Sequence, residues 1–423
     1  MNYLRKKEKR WEKWPKKLPK GFQLKHISKI YWKSIKGKLA SGDKIRVLHC
    51  IETISSGGVE QTRLTLFRGL DKEKYENRVV CTWAGGPMAI AIENEGVEIT
   101  QVGSFQHPFE MDKHFTLLQV IRKFRPHIIH GGVFEGMTMA TIGGIFGRVP
   151  IVILEETSDP QNRSRKANFL LKIYSIFADK VQAISPEVGQ YLAEITKISQ
   201  EKIEVIANGV PLPKLSDHRL ILEAKKQYGI KKKDFVVGFV GRLFNDQKRV
   251  SDLVEAVSML EIPNLRLLIV GEGKDKALLL DIITEFGISD KVIFVGYQPD
   301  PHLFYDLMDI LCVPSSREGF GLVAVEGMLH RLPIIATKVG GLQKVVVNDE
   351  TGFIISSNSP REISEKIQVL YFSPKLRKEM GNMGYQRAFK KYSSERYVRE
   401  VEHMYQSLLL KLNTLTFLKT KKK

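Results

Sequence analysis

From residue 44 onward, short apolar segments alternate with glycine-bearing loops and with amphipathic stretches of helical length. The apolar segments are rich in β-branched residues and show little alternation, which is typical of strands buried on both faces of a parallel sheet. The first half of the chain contains Lys44–Ile51, Asn77–Trp83, Glu98–Val102, His127–Gly131, Ile151–Glu155, Lys180–Ile184 and Ile203–Ile206. The second half contains Phe235–Val240, Arg266–Val270, Val292–Val295, Ile310–Val313, Ile334–Ala336 and Phe353–Ile355. This rhythm predicts two doubly wound α/β domains.

A proline- and glycine-rich stretch beginning at Asn208-Gly209-Val210 separates the two sets of strands, and polar sequence follows it to Asp234. We therefore expect four segments after a leader at residues 1–43. They are an N-terminal Rossmann-like domain at 44–207, a hinge and linker at 208–234, a C-terminal Rossmann-like domain at 235–390, and a C-terminal helix with a basic tail at 391–423. In such folds ligands bind at the carboxyl ends of the strands, here expected in a central cleft that both domains face.

Composition narrows the class of protein further. Apolar residues make up 43% of the 423 residues and charged residues 27%, which excludes a disordered or low-complexity chain. The three cysteines each lie in an apolar segment and indicate a reducing compartment rather than a disulfide framework. No apolar run approaches the ~20 residues of a membrane span, and the N-terminus has no apolar signal core. We expect a cytoplasmic protein.

The net charge of +19 is concentrated at the N-terminus. Residues 1–44 hold 15 lysines and arginines against three acidic residues, together with three of the four tryptophans. Cations interleaved with aromatic side chains suit an anionic membrane surface, where each cation contributes roughly 1 kcal/mol. Between Leu24 and Leu39, most apolar and lysine positions fall on separate stripes of a helix, which favours an amphipathic surface segment.

Three interpretations of this leader stay open. Residues 1–40 could bind an anionic membrane surface, they could form a solvated segment, or they could contact nucleic acid. No nucleic-acid-binding module follows the leader, so we expect no nucleic-acid partner. The first interpretation places the protein peripherally on the inner face of the plasma membrane.

Glycine-bearing loops follow several predicted strands. Gly57 and Gly58 follow the first strand and precede a helix, where backbone amides can approach an anion or a sugar closely. Gly271 and Gly273 follow a strand of the second domain. Each pair also suits an ordinary tight turn, and the loops alone do not decide between these interpretations.

The second domain opens with Gly241-Arg242 at the end of a strand, and Lys248 follows six residues later. The third glycine and the acidic residue of a dinucleotide-binding fingerprint have no match here. A guanidinium and an ammonium in one loop can bind phosphate, since arginine binds it bidentately and lysine adds a point charge. The alternative is a solvated loop in which Asp246 pairs with one of the cations.

The segment from Pro314 to Gly327 is the richest in candidate chemistry. A strand ends at Val313, a loop presents Glu318, and a helix is expected to begin near Phe320 and to carry Glu326. Free amides at a helix N-terminus can receive a diphosphate, and two carboxylates can accept hydrogen bonds from sugar hydroxyls.

This segment resembles the Glu-x7-Glu motif of retaining glycosyltransferase family 4, whose members have the two-domain GT-B fold. The other matching elements, in the same order along the chain, are Gly57-Gly58, Asn208-Gly209-Val210, Gly241-Arg242 with Lys248, Gly271-Glu272-Gly273 and Gly340-Gly341. The resemblance covers roughly residues 44–412. It implies an α/β protein with two Rossmann-like doubly wound domains facing a central cleft.

The resemblance also implies roles for individual residues. Arg242 and Lys248 match the pair that binds the donor diphosphate, and Glu326 matches the carboxylate that holds the donor ribose. Glu318 matches the catalytic residue that contacts the transferred sugar near its reacting carbon.

Backbone positions would complete the donor site. The amides of Phe320, Gly321 and Leu322 would cap the phosphates. Gly241, Gly271 and Gly273 would let the backbone approach the donor in the second domain, and Gly57 and Gly58 would do so from the first.

A histidine often follows the fourth strand of the first domain in this family, and His130 matches it. Many members carry a second histidine two residues later, where this chain has Gly132. An acceptor-side catalytic role for His130 and a buried structural role both stay open.

The implied reaction is transfer of a sugar, with retention, from a nucleotide-diphosphate sugar to a lipid-linked or saccharide acceptor in bacterial cell-surface polysaccharide biosynthesis. The other common glycosyltransferase fold holds a metal with an Asp-x-Asp pair, which this sequence lacks, so we expect no metal and no cofactor. Two alternatives stay open: another GT-B chemistry, such as epimerisation or phosphorolysis, and a degenerate GT-B scaffold at the membrane.

Overall fold

The computed structural model describes residues 43–55, 57–157, 163–214 and 216–420, the last eight of them by backbone alone. The expected leader at 1–43 therefore lies outside the described residues except for Asp43, and so does the tail at 421–423. The chain forms two compact units. The first runs to Ile206 and takes up the chain again at Val398, and the second is Ala207–Tyr397.

The first unit contains a seven-stranded parallel sheet in the order β3-β2-β1-β4-β5-β6-β7. Its strands are β1 (Ile45–Ile54), β2 (Tyr75–Ala84), β3 (Glu98–Gln101), β4 (Ile128–Gly132), β5 (Ile151–Glu156), β6 (Lys180–Ala183) and β7 (Ile203–Val205). Its helices before residue 207 are α1 (Gly58–Gly69), α2 (Gly86–Glu93), α3 (Met111–Phe124), α4 (Val133–Gly147), α5 (Arg165–Phe177) and α6 (Pro186–Glu194).

The second unit contains a six-stranded parallel sheet in the order β10-β9-β8-β11-β12-β13. Its strands are β8 (Phe235–Val240), β9 (Leu265–Val270), β10 (Val292–Gly296), β11 (Ile310–Val313), β12 (Ile334–Thr337) and β13 (Gly352–Ile355). Its helices are α7 (His218–Gln227), α8 (Asn245–Lys248), α9 (Val250–Ser258), α10 (Lys276–Glu285), α11 (His302–Tyr305), α12 (Leu322–Leu329), α13 (Leu342–Val345), α14 (Pro360–Phe372) and α15 (Pro374–Tyr392). Helix α16 (Ser394–Thr420) begins in the second unit and ends in the first.

The apolar strands form the cores of the two units, as expected for strands whose side chains are apolar on both faces. Residues Val47, Leu48, Cys50 and Ile51 of β1 are all fully buried, and β8 is buried almost throughout. Strand β1 pairs with β2 on one side and with β4 on the other, so both of its edges and both of its faces are covered. Helices on both sides of each sheet shield this apolar surface from water.

All thirteen predicted strands are confirmed, with ends that differ by at most three residues. The largest difference is at β1, which extends to Ile54 because Thr53 and Ile54 pair in register with Trp83 and Ala84 of β2. None of the helices in the described ranges is long and apolar enough to cross a bilayer.

Two expected boundaries differ from the structure. The segment 208–234 is not a free linker, because it belongs to the second unit and contains helix α7. Ala224 of α7 is buried, and the ring of Tyr228 packs edge-on against Phe304 with centroids 5.7 Å apart. The C-terminal helix expected at 391–423 is present as α16, but the boundary differs, because residues 391 and 392 still belong to α15 and α16 is shared by both units, with Tyr397 buried in the second and Tyr405 in the first.

Candidate active site

The second sheet reverses its strand order between β8 and β11, and the loops that follow these two strands carry the main candidate residues. Helices leave such a pair of strands toward opposite faces of the sheet, which opens a crevice for ligands between the loops. Lys248 ends the short helix α8 after β8, and Glu318 lies in the loop after β11. The sheet topology thus brings together two residues that are 70 positions apart.

Lys248 and Glu318 form an ion pair within this crevice. The Lys248 Nζ donates to Glu318 Oε2 at 2.6 Å, and the two side chains are only 14% and 18% exposed. The sequence indicated Asp246 as a possible partner for a cation of this loop. In the structure, Lys248 instead pairs with Glu318, the candidate catalytic carboxylate. A short, mostly desolvated pair of this kind is stronger than a surface ion pair.

Arg242 differs from Lys248 because its guanidinium makes no hydrogen bond or ion pair within the described residues. It directly follows Gly241, whose φ of 152° directs the chain away from the end of β8. Arg242 is exposed at this strand end. An arginine without a protein partner, close in sequence to a paired lysine, is suited to bind a dianionic ligand through its planar donors.

Packing explains two of the loop glycines without any ligand. A Cβ on Gly271 would lie 1.9 Å from the Gly241 carbonyl oxygen, and a Cβ on Gly273 would lie 2.3 Å from that of Leu243. The loops after β8 and β9 are thus in backbone contact, supported by the hydrogen bond from the Leu243 amide to the Glu272 carbonyl oxygen. Whether these glycines also approach the donor stays a prediction.

Helix α12 begins at Leu322, two residues later than expected. Gly321 adopts a left-handed conformation with a φ of 96°, and this turns the chain from the Glu318 loop into the helix. Phe320 is buried and packs edge-on against Tyr392 with ring centroids 5.5 Å apart, which anchors the turn. The Ala324 amide of the first turn already donates to the Gly321 carbonyl oxygen, whereas the Leu322 and Val323 amides come too early in α12 for an intrahelical acceptor and can receive an anion at this strand end.

Glu326 lies on α12, and a buried tyrosine contacts its carboxylate. The Tyr305 hydroxyl donates to Glu326 Oε2 at 2.6 Å, and the Tyr305 side chain is fully buried. Burial, together with the nearby Glu326 charge, raises the pKa of Tyr305 well above its usual value, so the hydroxyl keeps its proton and remains a donor. Tyr305 is not among the candidates that the sequence indicates, because no motif links α11 to the Glu-x7-Glu segment.

In the first unit, Gly57 and Gly58 lie after β1, beside the strand reversal between β1 and β4. Gly58 is the first residue of α1, and Gly57 adopts an extended conformation. A Cβ on Gly57 would lie 2.4 Å from the Glu60 carboxylate, which accepts a hydrogen bond from the Ser55 amide. The glycine therefore makes room for this carboxylate in the turn.

His130 lies on β4 and is completely buried. Its Nδ1 lies 2.7 Å from the Tyr405 hydroxyl of α16, and its Nε2 lies 3.4 Å from Glu155 Oε2. Burial, and then the Arg63 charge, lower the pKa of His130 to about 4, so the ring is neutral at pH 7. This environment favours the structural interpretation of His130, and its catalytic role stays a prediction.

Arg63 and Glu155 form a buried ion pair beside His130, and the sequence analysis identified neither residue. Arg63 comes from α1, and Glu155 comes from β5, which neighbours β4 in the sheet. A Cβ on Gly132 would lie 3.0 Å from the nearest Arg63 guanidinium nitrogen and 3.5 Å from Glu155 Oε2. The guanidinium thus lies where a larger residue at position 132 would project, which gives a steric reason for the missing second histidine.

The fold and the site together define a class: a two-domain α/β protein with a charged candidate site where the second sheet reverses its strand order. Two family models match the chain in the corresponding places. The Glycosyltransferase Family 4 model matches residues 56–213, and the Glycosyl transferases group 1 model matches residues 221–387. Together they cover well over half of the chain, which belongs to the family 4 glycosyltransferases with the GT-B fold.

Individual relatives agree with this assignment. The chain is 27% identical to the capsular polysaccharide biosynthesis glycosyltransferase CapM of Staphylococcus aureus, over 69% of this chain and 80% of CapM. It is 26% identical to the N-acetyl-alpha-D-glucosaminyl L-malate synthase of Bacillus anthracis, over 55% of this chain and 60% of that enzyme. The crystal structure of Anabaena Alr3699/HepE in complex with UDP has the same fold, with a TM-score of 0.76 at 20% identity over 86% of this chain and 100% of that one.

Proposed function

We propose that this glycosyltransferase transfers a sugar, with retention and without a metal, from a nucleotide-diphosphate sugar to a lipid-linked or saccharide acceptor in cell-surface polysaccharide biosynthesis. The observation that carries the proposal is the Lys248–Glu318 pair at the β8–β11 crevice, close in sequence to the Arg242 guanidinium, which has no partner among the described residues. The name of CapM supports the polysaccharide context.

The negative charge that develops on the leaving group determines the proposed roles of these residues. Departure of a nucleoside diphosphate builds negative charge on its β-phosphate, and fixed donors must stabilise that charge. Arg242, Lys248 and the Leu322 and Val323 amides of α12 would supply them, and one preorganised donor of this type is commonly worth ~3 kcal/mol of barrier. No residue of this set depends on a bound cation, which is why we propose a metal-independent reaction.

The Lys248–Glu318 pair suggests an order of events. A bound diphosphate would compete with Glu318 for the Lys248 ammonium. Glu318 would then be available to accept hydrogen bonds from hydroxyls of the transferred sugar. Donor binding would in this way prepare the catalytic carboxylate.

The HepE structures support UDP-glucose as the first donor to test, because that protein was crystallised with UDP and with UDP-glucose. The assay uses full-length protein, UDP-glucose and a lipid extract from bacterial membranes, with excess EDTA in every reaction. We expect acceptor-dependent release of UDP and an α-linked glucosyl product, identified by the anomeric coupling constant in NMR. A β-linked product would contradict retention, and a rate restored only by added metal would contradict metal independence.

One result of this assay and one result in cells would favour the alternatives. UDP release that does not require an acceptor would point to another GT-B chemistry. A Glu318→Gln variant that supports cell-surface polysaccharide as well as the wild type does would point to a scaffold.

We also propose that residues 1–40 bind an anionic membrane surface on the cytoplasmic side of the plasma membrane. The support is compositional, namely the basic and tryptophan-rich sequence of this segment. Sedimentation with phosphatidylglycerol vesicles is expected for the full chain and not for a chain lacking residues 1–40, and neither should sediment with phosphatidylcholine vesicles. Equal sedimentation of both chains would contradict the proposal.

A further inference from the structure

The fully buried side chain of Tyr305 contacts the carboxylate of Glu326. The Tyr305 hydroxyl donates to Glu326 Oε2 at 2.6 Å, while Glu326 itself is partly exposed. A hydrogen bond from a neutral hydroxyl to a carboxylate is charge-assisted and strong, and it fixes the rotation of the carboxylate group. One carboxylate oxygen is therefore engaged with the protein, and Oε1 faces no such donor within the described residues.

A stack of rings holds Tyr305 in place. The Tyr305 and His330 rings lie 5.1 Å apart at an interplanar angle of 24°, and the His330 and His302 rings lie 5.1 Å apart at 26°. His302 and Tyr305 are the two ends of α11, and His330 directly follows α12. The stack thus joins the helix that carries Tyr305 to the helix that carries Glu326.

Hydrogen bonds fix the central ring of this stack. His330 Nδ1 lies 2.7 Å from Asp306 Oδ1, and His330 Nε2 lies 2.9 Å from His302 Nδ1. Although burial by itself raises the pKa of Asp306, hydrogen bonds from His330 and Ser216 lower it below its usual value, so the group is a carboxylate. A carboxylate only accepts, so His330 donates to Asp306 from Nδ1, and its Nε2 lies within hydrogen-bond distance of His302 Nδ1.

We propose that Tyr305 is the positioning residue that orients Glu326 toward the ribose of the donor, so that the enzyme distinguishes ribonucleotides from deoxyribonucleotides through this pair. The proposal rests on the proposed function and on the ribose-binding role that the family resemblance implies for Glu326. A carboxylate that is fixed in rotation can meet a ribose hydroxyl without losing further freedom, which lowers the entropic cost of forming that hydrogen bond and so raises the affinity.

The test measures dissociation constants by calorimetry, in EDTA, for UDP, GDP and ADP and for the 2′-deoxy and 3′-deoxy analogue of each. The variants are wild type, Tyr305→Phe and Tyr371→Phe. Tyr305→Phe removes the hydroxyl and keeps the ring that stacks on His330. Tyr371→Phe is the matched control, because it removes a partly buried tyrosine hydroxyl of the same unit that donates to Asn264 Oδ1.

We expect the wild type to bind one ribonucleotide about tenfold more tightly than at least one of its deoxy analogues, the usual effect of a hydrogen bond to a charged group. In Tyr305→Phe, the affinity for the ribonucleotide should fall by about tenfold while the affinity for that deoxy analogue changes by less than about threefold. The preference should persist in Tyr371→Phe.

The other outcomes are distinguishable. A Tyr305→Phe variant that keeps the full preference, or that loses affinity equally for both nucleotides, would overturn the positioning role and leave the proposed function intact. A wild type that binds a ribonucleotide and both of its deoxy analogues equally would contradict the ribose-binding role of Glu326. Failure of the wild type to bind any of the three ribonucleotides would contradict the proposed donor site and the inference with it.

Discussion

The Lys248 ammonium and the Glu318 carboxylate largely neutralise each other's charge, since Nζ and Oε2 lie 2.6 Å apart. The family resemblance implies separate roles for these two residues, Lys248 toward the diphosphate and Glu318 toward the sugar. Their contact follows from the adjacency of β8 and β11 in the sheet. Strand order is a tertiary property that no local pattern in this sequence specifies.

Replacing Glu318 should separate binding from catalysis. In Glu318→Gln, the Lys248 charge is no longer shared with a carboxylate, so UDP should bind about threefold more tightly than in the wild type. Transfer should fall by about a hundredfold or more, because the carboxylate that we propose contacts the sugar is lost. Calorimetry gives the first quantity and UDP release the second.

Glu379→Gln is the control for this experiment. It removes the carboxylate of an exposed ion pair with Lys375, so it should change neither the affinity for UDP nor the rate of transfer. Weaker UDP binding by Glu318→Gln would contradict the competition between Glu318 and the diphosphate.

His130 makes stability depend on pH, because the folded protein holds its ring neutral. Its pKa is about 4 when folded and near 6.5 when unfolded, so the unfolded chain binds more protons between these values. The free energy of unfolding should therefore fall as the pH is lowered from about 6.5 to about 4, by ~3 kcal/mol from this residue. Burial also lowers the pKa of His49, which acts in the same direction.

Urea unfolding at pH 7 and at pH 4.5 checks this expectation. The difference between the two pH values should shrink in His130→Gln without vanishing, because His49 remains. It should be unchanged in His107→Gln, which alters an exposed histidine of the same unit. An undiminished difference in His130→Gln would show that His130 is not held neutral in the folded protein.

At the scale of elements, the sequence predicts the strands well and the polar helices less well. Strands such as β8 are apolar at nearly every position because both faces are covered, so composition alone locates them. Helix α7 lies in a segment that was expected to be linker, because the proline- and glycine-rich start and the polar residues of 208–234 indicated a connection. Its sequence does carry helix signals that this interpretation passed over, namely the N-cap Asp217 and the helical spacing of Ile221, Ala224 and Tyr228.

Because the loops after β8 and β9 are in backbone contact, we expect one methyl group added at Gly271 to lower the stability of the second unit strongly. Gly271 has a φ of 141°, and a Cβ there would lie 1.9 Å from the Gly241 carbonyl oxygen. Gly271→Ala should therefore lower the free energy of unfolding of the second unit by about 3 kcal/mol or more, because both the backbone conformation and the contact oppose the side chain.

Gly287→Ala separates these two causes. Gly287 also has a positive φ, of 65°, but a Cβ there meets nothing within 4 Å. Its substitution should cost only about 1 kcal/mol, the usual penalty for a left-handed residue with a side chain. Thermal unfolding of both variants measures the difference, and equal losses would contradict the close contact between the two loops.

At the scale of the whole molecule, the sequence identified the charged donor-site candidates because their types and order match a family. It did not identify Tyr305, Arg63 or Glu155, because each acts on another side chain from a distant part of the chain. These buried residues lie in segments whose local sequence pattern is that of ordinary strands and helices, so the sequence does not distinguish them from other core residues. Their roles appear only when the packing is known.

Nucleotide binding by the second unit tests the account most directly. Calorimetry with UDP, GDP and ADP in EDTA should show one nucleoside diphosphate that binds the full-length wild type, and about 2.7 kcal/mol of added stability at a concentration 100 times its dissociation constant. Binding should be lost or weakened by about tenfold or more in Arg242→Ala. It should be unchanged in Arg361→Ala, which removes an exposed arginine of the same unit. Equal binding by all three proteins, or binding by none, would contradict the donor site at the β8–β11 crevice.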